Sequence, residues 1–173
     1  MDDISTHILD ICSNAKNGEV VPHGIPREEM RERILQFQSK MMAAQEAGEV
    51  DKCDINETFP LRHFFAPHTY AREMTLPAGN WIIGKIHKHA HLNIITQGRV
   101  AVITEDGVMH VSGHHTFVSL PGTKRLVMIL EETVWTTVHV TDKTDLAEIE
   151  DEVIAKSYDD LLTLGNSTVK ELS

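Results

Sequence analysis

The sequence has few cysteines, few aromatic residues and no long apolar run. Its two cysteines, Cys12 and Cys53, form no Cys-x-x-Cys motif, and we favour free thiols in a reducing cytoplasm over a disulfide. Aromatic residues make up 5% of the 173 residues, so aliphatic side chains must fill most of the core. No segment approaches the roughly 18 apolar residues of a membrane span. The start of the chain lacks the basic and apolar regions of a signal peptide.

Basic residues are also scarce. The chain has 16 lysines and arginines against 26 aspartates and glutamates, which gives a formal net charge of -10. A chain of this charge is repelled by the phosphates of nucleic acids and by anionic membrane surfaces. We therefore predict neither of these partners, and the free thiols and the lack of a signal peptide predict a cytoplasmic protein.

Changes in pattern divide the chain into three parts: a helical extension (1–59), a β domain (60–142) and an acidic helix with a tail (143–173). We predict helices at about 26–47 and 145–162, and a weak helix before residue 24 that carries Ile4, Ile8, Leu9 and Ile11. The apolar stripe of the 26–47 helix packs on its own domain or on a second subunit; it consists of Met30, Ile34, Phe37 and Met41.

The middle part contains eight short β-rich runs separated by turn residues. They predict a mainly β fold of two packed antiparallel sheets, a sandwich or a jelly roll. The runs are Tyr70–Leu76, Trp81–Ile86, Leu92–Thr96, Val100–Thr104, Met109–Val111, Thr116–Leu120, Leu126–Leu130 and Val134–Val140.

Three histidines at alternate positions are the strongest functional signal. His87, His89 and His91 lie between Gly79 and Gly98. In a straight strand alternate side chains share one face, so the three rings would converge. Three imidazoles suit a divalent transition metal.

This stretch resembles the first motif of the cupin superfamily, the RmlC-like jelly rolls. In that register Gly79 and Gly98 match the two motif glycines, His87 matches the second motif histidine and His91 matches the glutamate. Lys85 stands where the family has its first histidine. The resemblance implies a cupin-type double-stranded β-helix with N- and C-terminal helices and a site inside the barrel.

A looser second motif follows at Gly113 and Pro121-Gly122, where Arg125 stands in place of the usual histidine. The whole chain further resembles uncharacterised cupin-like proteins of tailed bacteriophages, which would place it in the host cytoplasm. The blocks that carry this resemblance are Phe64–Pro67, Tyr70–Glu73, Gly84–His87, His91–Asn93, Pro121–Arg125 and Val134–His139.

Two interpretations of the site follow from these departures. In the first, a divalent metal (Zn, Fe, Mn or Ni) is held by His87 and His91 with His89 or His139, His89 being the choice from spacing. In the second there is no metal, and a basic pocket binds a small anionic or polar molecule. The residues of that pocket are Lys85, His87, His91, Arg125 and His139.

Three classes of function remain open from the sequence. The first is a non-catalytic binding protein, the second a cupin-type enzyme (isomerase, epimerase or metal-dependent oxygenase), and the third a scaffold without a ligand. Acid–base chemistry is conceivable because His87 or His91 would ordinarily titrate near neutral pH. A carboxylate such as Glu73 reaching inward would offset the buried cations. Jelly rolls often pair sheets across subunits, so we predict a homodimer or higher homo-oligomer.

Overall fold

The computed structural model describes residues 15–48 and 58–161. The predicted helix before residue 24 lies largely outside this part, as do both cysteines. The helices are α1 (Arg27–Glu46) and α2 (Leu146–Val153). The strands are β1 (Val20–Val21), β2 (Leu61–Ala66), β3 (Thr69–Leu76), β4 (Trp81–Ile83), β5 (Ile86–His87), β6 (His91–Thr104), β7 (Val108–Ser112), β8 (His115–Ser119), β9 (Arg125–Val140) and β10 (Ile154–Ala155).

Eight of these strands form one antiparallel sheet in the order β1-β7-β6-β9-β3-β2, with β4 added to β9 and β8 added to β6. This confirms the mainly β fold class with flanking helices. β6 and β9 each unite two of the predicted runs in one long strand. The first half of β6 pairs with β8 and the second half with β7. The two layers are therefore halves of one bent sheet.

The bend in β6 depends on Gly98. The pairing of β6 with β9 shifts register three times between Ile95 and Val100. Gly98 has a φ of 97°, a conformation that L-residues rarely adopt. A Cβ at this position would lie 2.3 Å from the backbone oxygen of Glu132 and 2.3 Å from the hydroxyl of Thr133. Glycine is therefore required where the strand turns from one layer to the other.

The second half of β6 is apolar on both faces because both faces are covered. One face joins an interior cluster that contains Val100, Val102 and Trp135. The other face packs under helix α1, whose Met30 and Ile34 contact Ala101 and Ile103 in a second cluster. The Met30/Ile34/Phe37 stripe thus packs on its own domain. Burial of this apolar area is the main force that fixes the helix on the sheet.

A buried carboxylate also anchors α1. Glu105 is 1% exposed, and it accepts a hydrogen bond from Arg31 at 3.1 Å and from the backbone N–H of Lys124 at 3.2 Å. Arg27 reaches the same carboxylate at 3.4 Å. Two guanidinium groups and a backbone amide offset the cost of burying its charge.

The C-terminal helix is shorter than predicted. It begins as expected at Asp145, whose carboxylate accepts hydrogen bonds from the N–H groups of Ala147 and Glu148, both at 3.0 Å. It ends at Val153 because the next two residues extend as β10 and pair with β5, Ile154 opposite His87. The prediction of a helix to residue 162 was wrong, since a tertiary pairing interrupts it at Ile154.

Three strands were not predicted. Val20–Val21 pairs with Val108 and Met109, so the N-terminal extension adds a strand to the sheet. Leu61–Ala66 forms a hairpin with β3 and is largely exposed. These strands and β10 are short or lie at a sheet edge, where the alternation of apolar and polar residues is weak.

Candidate functional site

The candidate site lies on the inner face of the first half of β6 and the second half of β9, which pair with each other. Directly paired residues of neighbouring strands project to the same side of a sheet. Asn93 is paired with Thr137 of β9 and with Phe117 of β8. His91 is paired with Ser119. The period-two alternation of these strands therefore brings buried polar side chains onto one face of the sheet.

Three histidines are in contact on this surface. The ring centroids of His87 and His91 are 4.0 Å apart, those of His91 and His139 are 4.8 Å apart, and those of His87 and His139 are 5.1 Å apart. The three residues are 4% to 9% exposed. The structure thus brings together the three histidines that were predicted for the basic pocket.

The C-terminal segment holds His87 in place. His87 lies on β5, which pairs only with β10 among the described strands. The backbone N–H of Lys88 donates to the oxygen of Val153 at 2.8 Å, and Gly122 donates its N–H to the oxygen of His87 at 2.9 Å. Tyr70 of β3 packs against Ile149 and Val153 beneath this segment. The segment therefore closes one side of the site.

Burial keeps the three imidazoles neutral. Burial, together with the neighbouring His91, His139 and Arg125, lowers the pKa of His87 to about 2. Burial, with the nearby guanidinium of Arg125, lowers the pKa of His91 to about 4. Burial and His91 lower the pKa of His139 to about 4. The expectation that His87 or His91 titrates near neutral pH is corrected accordingly.

Two ring nitrogens of this cluster have no protein partner. His87 Nδ1 and His91 Nε2 are buried and accept or donate no hydrogen bond to any residue in the described ranges. A buried polar atom without a partner costs about 1–3 kcal/mol. Such atoms point to a binding partner that the described residues do not supply.

Arg125 is the buried cation of the site. It is 7% exposed, and burial lowers its pKa to about 10. Its Nη1 donates to Asn93 Oδ1 at 3.2 Å, and its Nη2 donates to the hydroxyl oxygen of Ser119. Asn93 is oriented in turn by donating to Ser119 at 2.8 Å and by accepting from Trp135 Nε1 at 3.0 Å.

All these partners of Arg125 are neutral. No carboxylate in residues 15–48 and 58–161 lies within ion-pair distance of its guanidinium. Glu105 attracts its charge electrostatically and raises its pKa, but Glu105 forms its ion pairs with Arg27 and Arg31. The predicted counterion Glu73 lies on the opposite face of β3, where it pairs with Arg62 at 2.9 Å. Glu73 therefore does not offset the charge of Arg125.

A second cation was missed by the sequence analysis. Arg72 is paired with Thr137 across β3 and β9, on the same face as Tyr70 and His139. Its charge lowers the pKa of all three clustered histidines. Its side chain has neither an ion pair nor a hydrogen bond with the described part of the chain. The alternation of β3, which places Arg72 on the same face as Tyr70, is the signal that could have identified it.

Other predicted site residues lie elsewhere. Lys85 is exposed and pairs with Glu150 at 2.5 Å. His89 is exposed in a bend, because the chain leaves the extended conformation between β5 and β6. The straight strand that would have aligned His87, His89 and His91 is therefore interrupted. Lys124, the neighbour of Arg125 in sequence, is also buried, and burial lowers its pKa.

The residues of this site do not fit a divalent metal in their present arrangement. Within the described ranges, no three His, Cys, Asp or Glu side chains are placed to hold one ion together. His91 and His139 stack at an interplanar angle of 30°, whereas shared ligands direct ring edges at one centre. No carboxylate of the described residues joins the cluster, and Arg125 and Arg72 would repel a dication. We therefore derive no chemical step through a metal.

The chain is similar to several solved structures at low sequence identity. A cupin-2 domain containing protein from Shewanella frigidimarina is 9% identical, with 56% of this chain and 90% of that chain covered and a TM-score of 0.41. KdgF from Halomonas sp. is 18% identical, with 54% and 91% covered and a TM-score of 0.44. Ectoine synthase from P. lautus is 12% identical, with 55% and 72% covered and a TM-score of 0.47. No protein-family model and no curated protein matches the chain.

The helices bear on one further expectation from the sequence. No helix within the described residues is long and apolar enough to cross a membrane.

Proposed function

We propose that this chain is a cupin-type protein that binds a small anionic or polar molecule inside its barrel. The observation that carries the proposal is the buried guanidinium of Arg125, which has only neutral hydrogen-bond partners among the described residues. Burying a charge without a counterion costs several kcal/mol. A bound anion would offset that cost.

The neighbouring groups support the same conclusion. The three histidines are neutral, so Arg125 and Arg72 give the surface a positive charge within a chain of net charge -10. A guanidinium has five N–H donors in a planar fork, and the bonds to Asn93 and Ser119 use two of them. Remaining donors are available for a carboxylate or phosphate.

A thermal-shift series tests the proposal. Phosphate, citrate, malate and sulfate are added at constant ionic strength, and the melting temperature is measured against chloride. Binding to the native state alone raises the melting temperature with ligand concentration. Arg125→Ala should lose this response and His114→Ala, at an exposed position, should keep it. If none of the anions raises the melting temperature of the wild-type protein, the proposal is contradicted and the alternative of a scaffold without a ligand is favoured.

The second candidate is a cupin-type enzyme, an isomerase, epimerase or metal-dependent oxygenase. It is favoured by the unpartnered nitrogens of His87 and His91, because a reactive group of a substrate could contact them. Turnover of a ligand found by native mass spectrometry would distinguish it from a binding protein. Homodimer formation, a cytoplasmic location and an origin in a bacteriophage remain predictions from the sequence.

A further inference from the structure

The hydrogen bond made by His91 Nδ1 determines whether the other ring nitrogen, Nε2, is a donor or an acceptor. His91 Nδ1 lies 3.3 Å from the backbone oxygen of His89. A carbonyl oxygen can only accept, so Nδ1 carries the hydrogen. In a neutral ring Nε2 is then an acceptor. This atom is buried and has no donor within the described part of the chain.

The surroundings of His91 disfavour a second proton on its ring. The positive charges of Arg125 and Arg72 both disfavour protonation of the His91 ring. The rings that contact it, those of His87 and His139, supply no negative charge that would favour protonation. The lone pair of Nε2 is therefore free to accept a hydrogen bond. A group that satisfies it must donate a hydrogen bond without adding positive charge next to two guanidinium groups.

The acceptor and the buried cation are close enough for one small molecule. His91 is directly opposite Ser119 on β8, and side chains in such pairs have Cβ atoms about 5 Å apart. The Ser119 hydroxyl oxygen accepts a hydrogen bond from Arg125. The guanidinium therefore reaches the residue that faces His91.

We propose that the ligand of this site is a small hydroxy acid, whose acid group binds the guanidinium of Arg125 and whose hydroxyl donates to His91 Nε2. This inference rests on the proposed function. A hydroxyl is a neutral donor, whereas the ammonium group of an amino acid would be repelled by the two arginines.

Malate, succinate and aspartate form a matched series for the test, since they share one carbon skeleton and differ only in hydroxyl, hydrogen or ammonium. Their dissociation constants, and that of phosphate, are measured by titration calorimetry on the full chain after treatment with EDTA. We expect one enantiomer of malate to bind at least about tenfold more tightly than succinate and aspartate, because the analogues leave the acceptor unpaired.

Variants of His91 test whether this residue causes the preference for malate over succinate. His91→Leu should reduce the affinity for malate to that for succinate, and His91→Gln should retain part of the difference because its amide oxygen can accept. His89→Ala, at an exposed position, should behave as wild type. Circular dichroism establishes that each variant is folded. Should His91→Leu fail to fold, the wild-type selectivity and His91→Gln decide the test.

Each contrary outcome has a distinct meaning. Equal affinities for malate and succinate would contradict the hydroxy-acid assignment but would still agree with an anion-binding site at Arg125. A preference for malate that appears only after zinc is added would assign the hydroxyl to a metal and overturn the role of His91. If none of the four anions binds, the proposed function fails and the assignment with it.

Discussion

Arg125 and Asn93 are joined by a hydrogen bond of 3.2 Å between Nη1 and Oδ1, and neither side chain is more than 7% exposed. A neutral amide thus occupies the position in which a buried arginine ordinarily has a carboxylate. The guanidinium is held in a fixed orientation by Asn93 and Ser119, but its charge is not offset by them. This relationship leads to the first prediction.

Arg125→Met should leave stability unchanged or increased in buffer without multivalent anions. An apolar side chain of similar length removes the cost of burying an uncompensated charge, which is on the order of several kcal/mol. The same variant should lose the stabilisation by phosphate or malate. Urea unfolding with and without an excess of the ligand measures both effects.

Lys85→Met is the matched control, since Lys85 is also a cation in the cupin-like motif but is exposed and paired with Glu150. Its stability should change by less than about 1 kcal/mol, and its anion response should equal that of wild type. A loss of more than about 2 kcal/mol for Arg125→Met without anions would show that the arginine is a structural cation and contradict the prediction.

Stability should fall as the pH is lowered from about 6.5 towards 4. The pKa values of His91 and His139 are lowered to about 4 in the folded chain, and the ordinary value is about 6.5. Between these values the unfolded chain binds protons that the folded chain does not, so acid favours unfolding by at most about 1.4 kcal/mol per pH unit for each histidine.

Urea midpoints at pH 7.5, 6.5 and 5.5 measure this slope above the range in which ordinary carboxylates titrate. His139→Gln should reduce the slope, because it removes one of the titrating rings. Exposed His114 serves as the control, and His114→Gln should leave the slope unchanged. An equal slope in wild type and His139→Gln would show that the buried histidines do not set the acid sensitivity.

Chelation should leave the folded protein unchanged. The described residues place no three ligands around one point, and two arginines act on the histidine cluster. We expect the same melting temperature before and after dialysis against EDTA. The metal alternative predicts instead about one equivalent of Zn, Fe, Mn or Ni by elemental analysis, lost in His91→Ala. That result would replace the anion site by a metal site at this cluster.

Gly98→Ala should destabilise the fold by more than about 2 kcal/mol. The added Cβ would meet the backbone oxygen of Glu132 at 2.3 Å at the bend of β6. Gly79→Ala provides the comparison, since Gly79 also has a positive φ, 81°, but no atom of the described residues lies within 4 Å of the added Cβ. This second variant should lose about 1–2 kcal/mol from backbone strain alone. Denaturant unfolding of both variants measures the difference, and equal losses would contradict the steric explanation.

The sequence by itself determined the β class, the helix at α1 and the burial of His87, His91 and Arg125. These features depend on local regularities: period-two alternation, the spacing of apolar residues and the motif in which the histidines lie. Such regularities act over a few neighbouring residues and can be recognised without knowing what packs against them.

Only the tertiary structure decided which polar residues meet. Asn93 contacts Ser119 across 26 residues of sequence and Trp135 across 42, and no local pattern encodes these distances. The bend after β5 turned His89 to solvent, and the pairing of β10 with β5 closed the site beside His87. Arg72 joined the site and Lys85 did not, because strand register and helix packing, rather than residue type, determine which cations remain without a counterion.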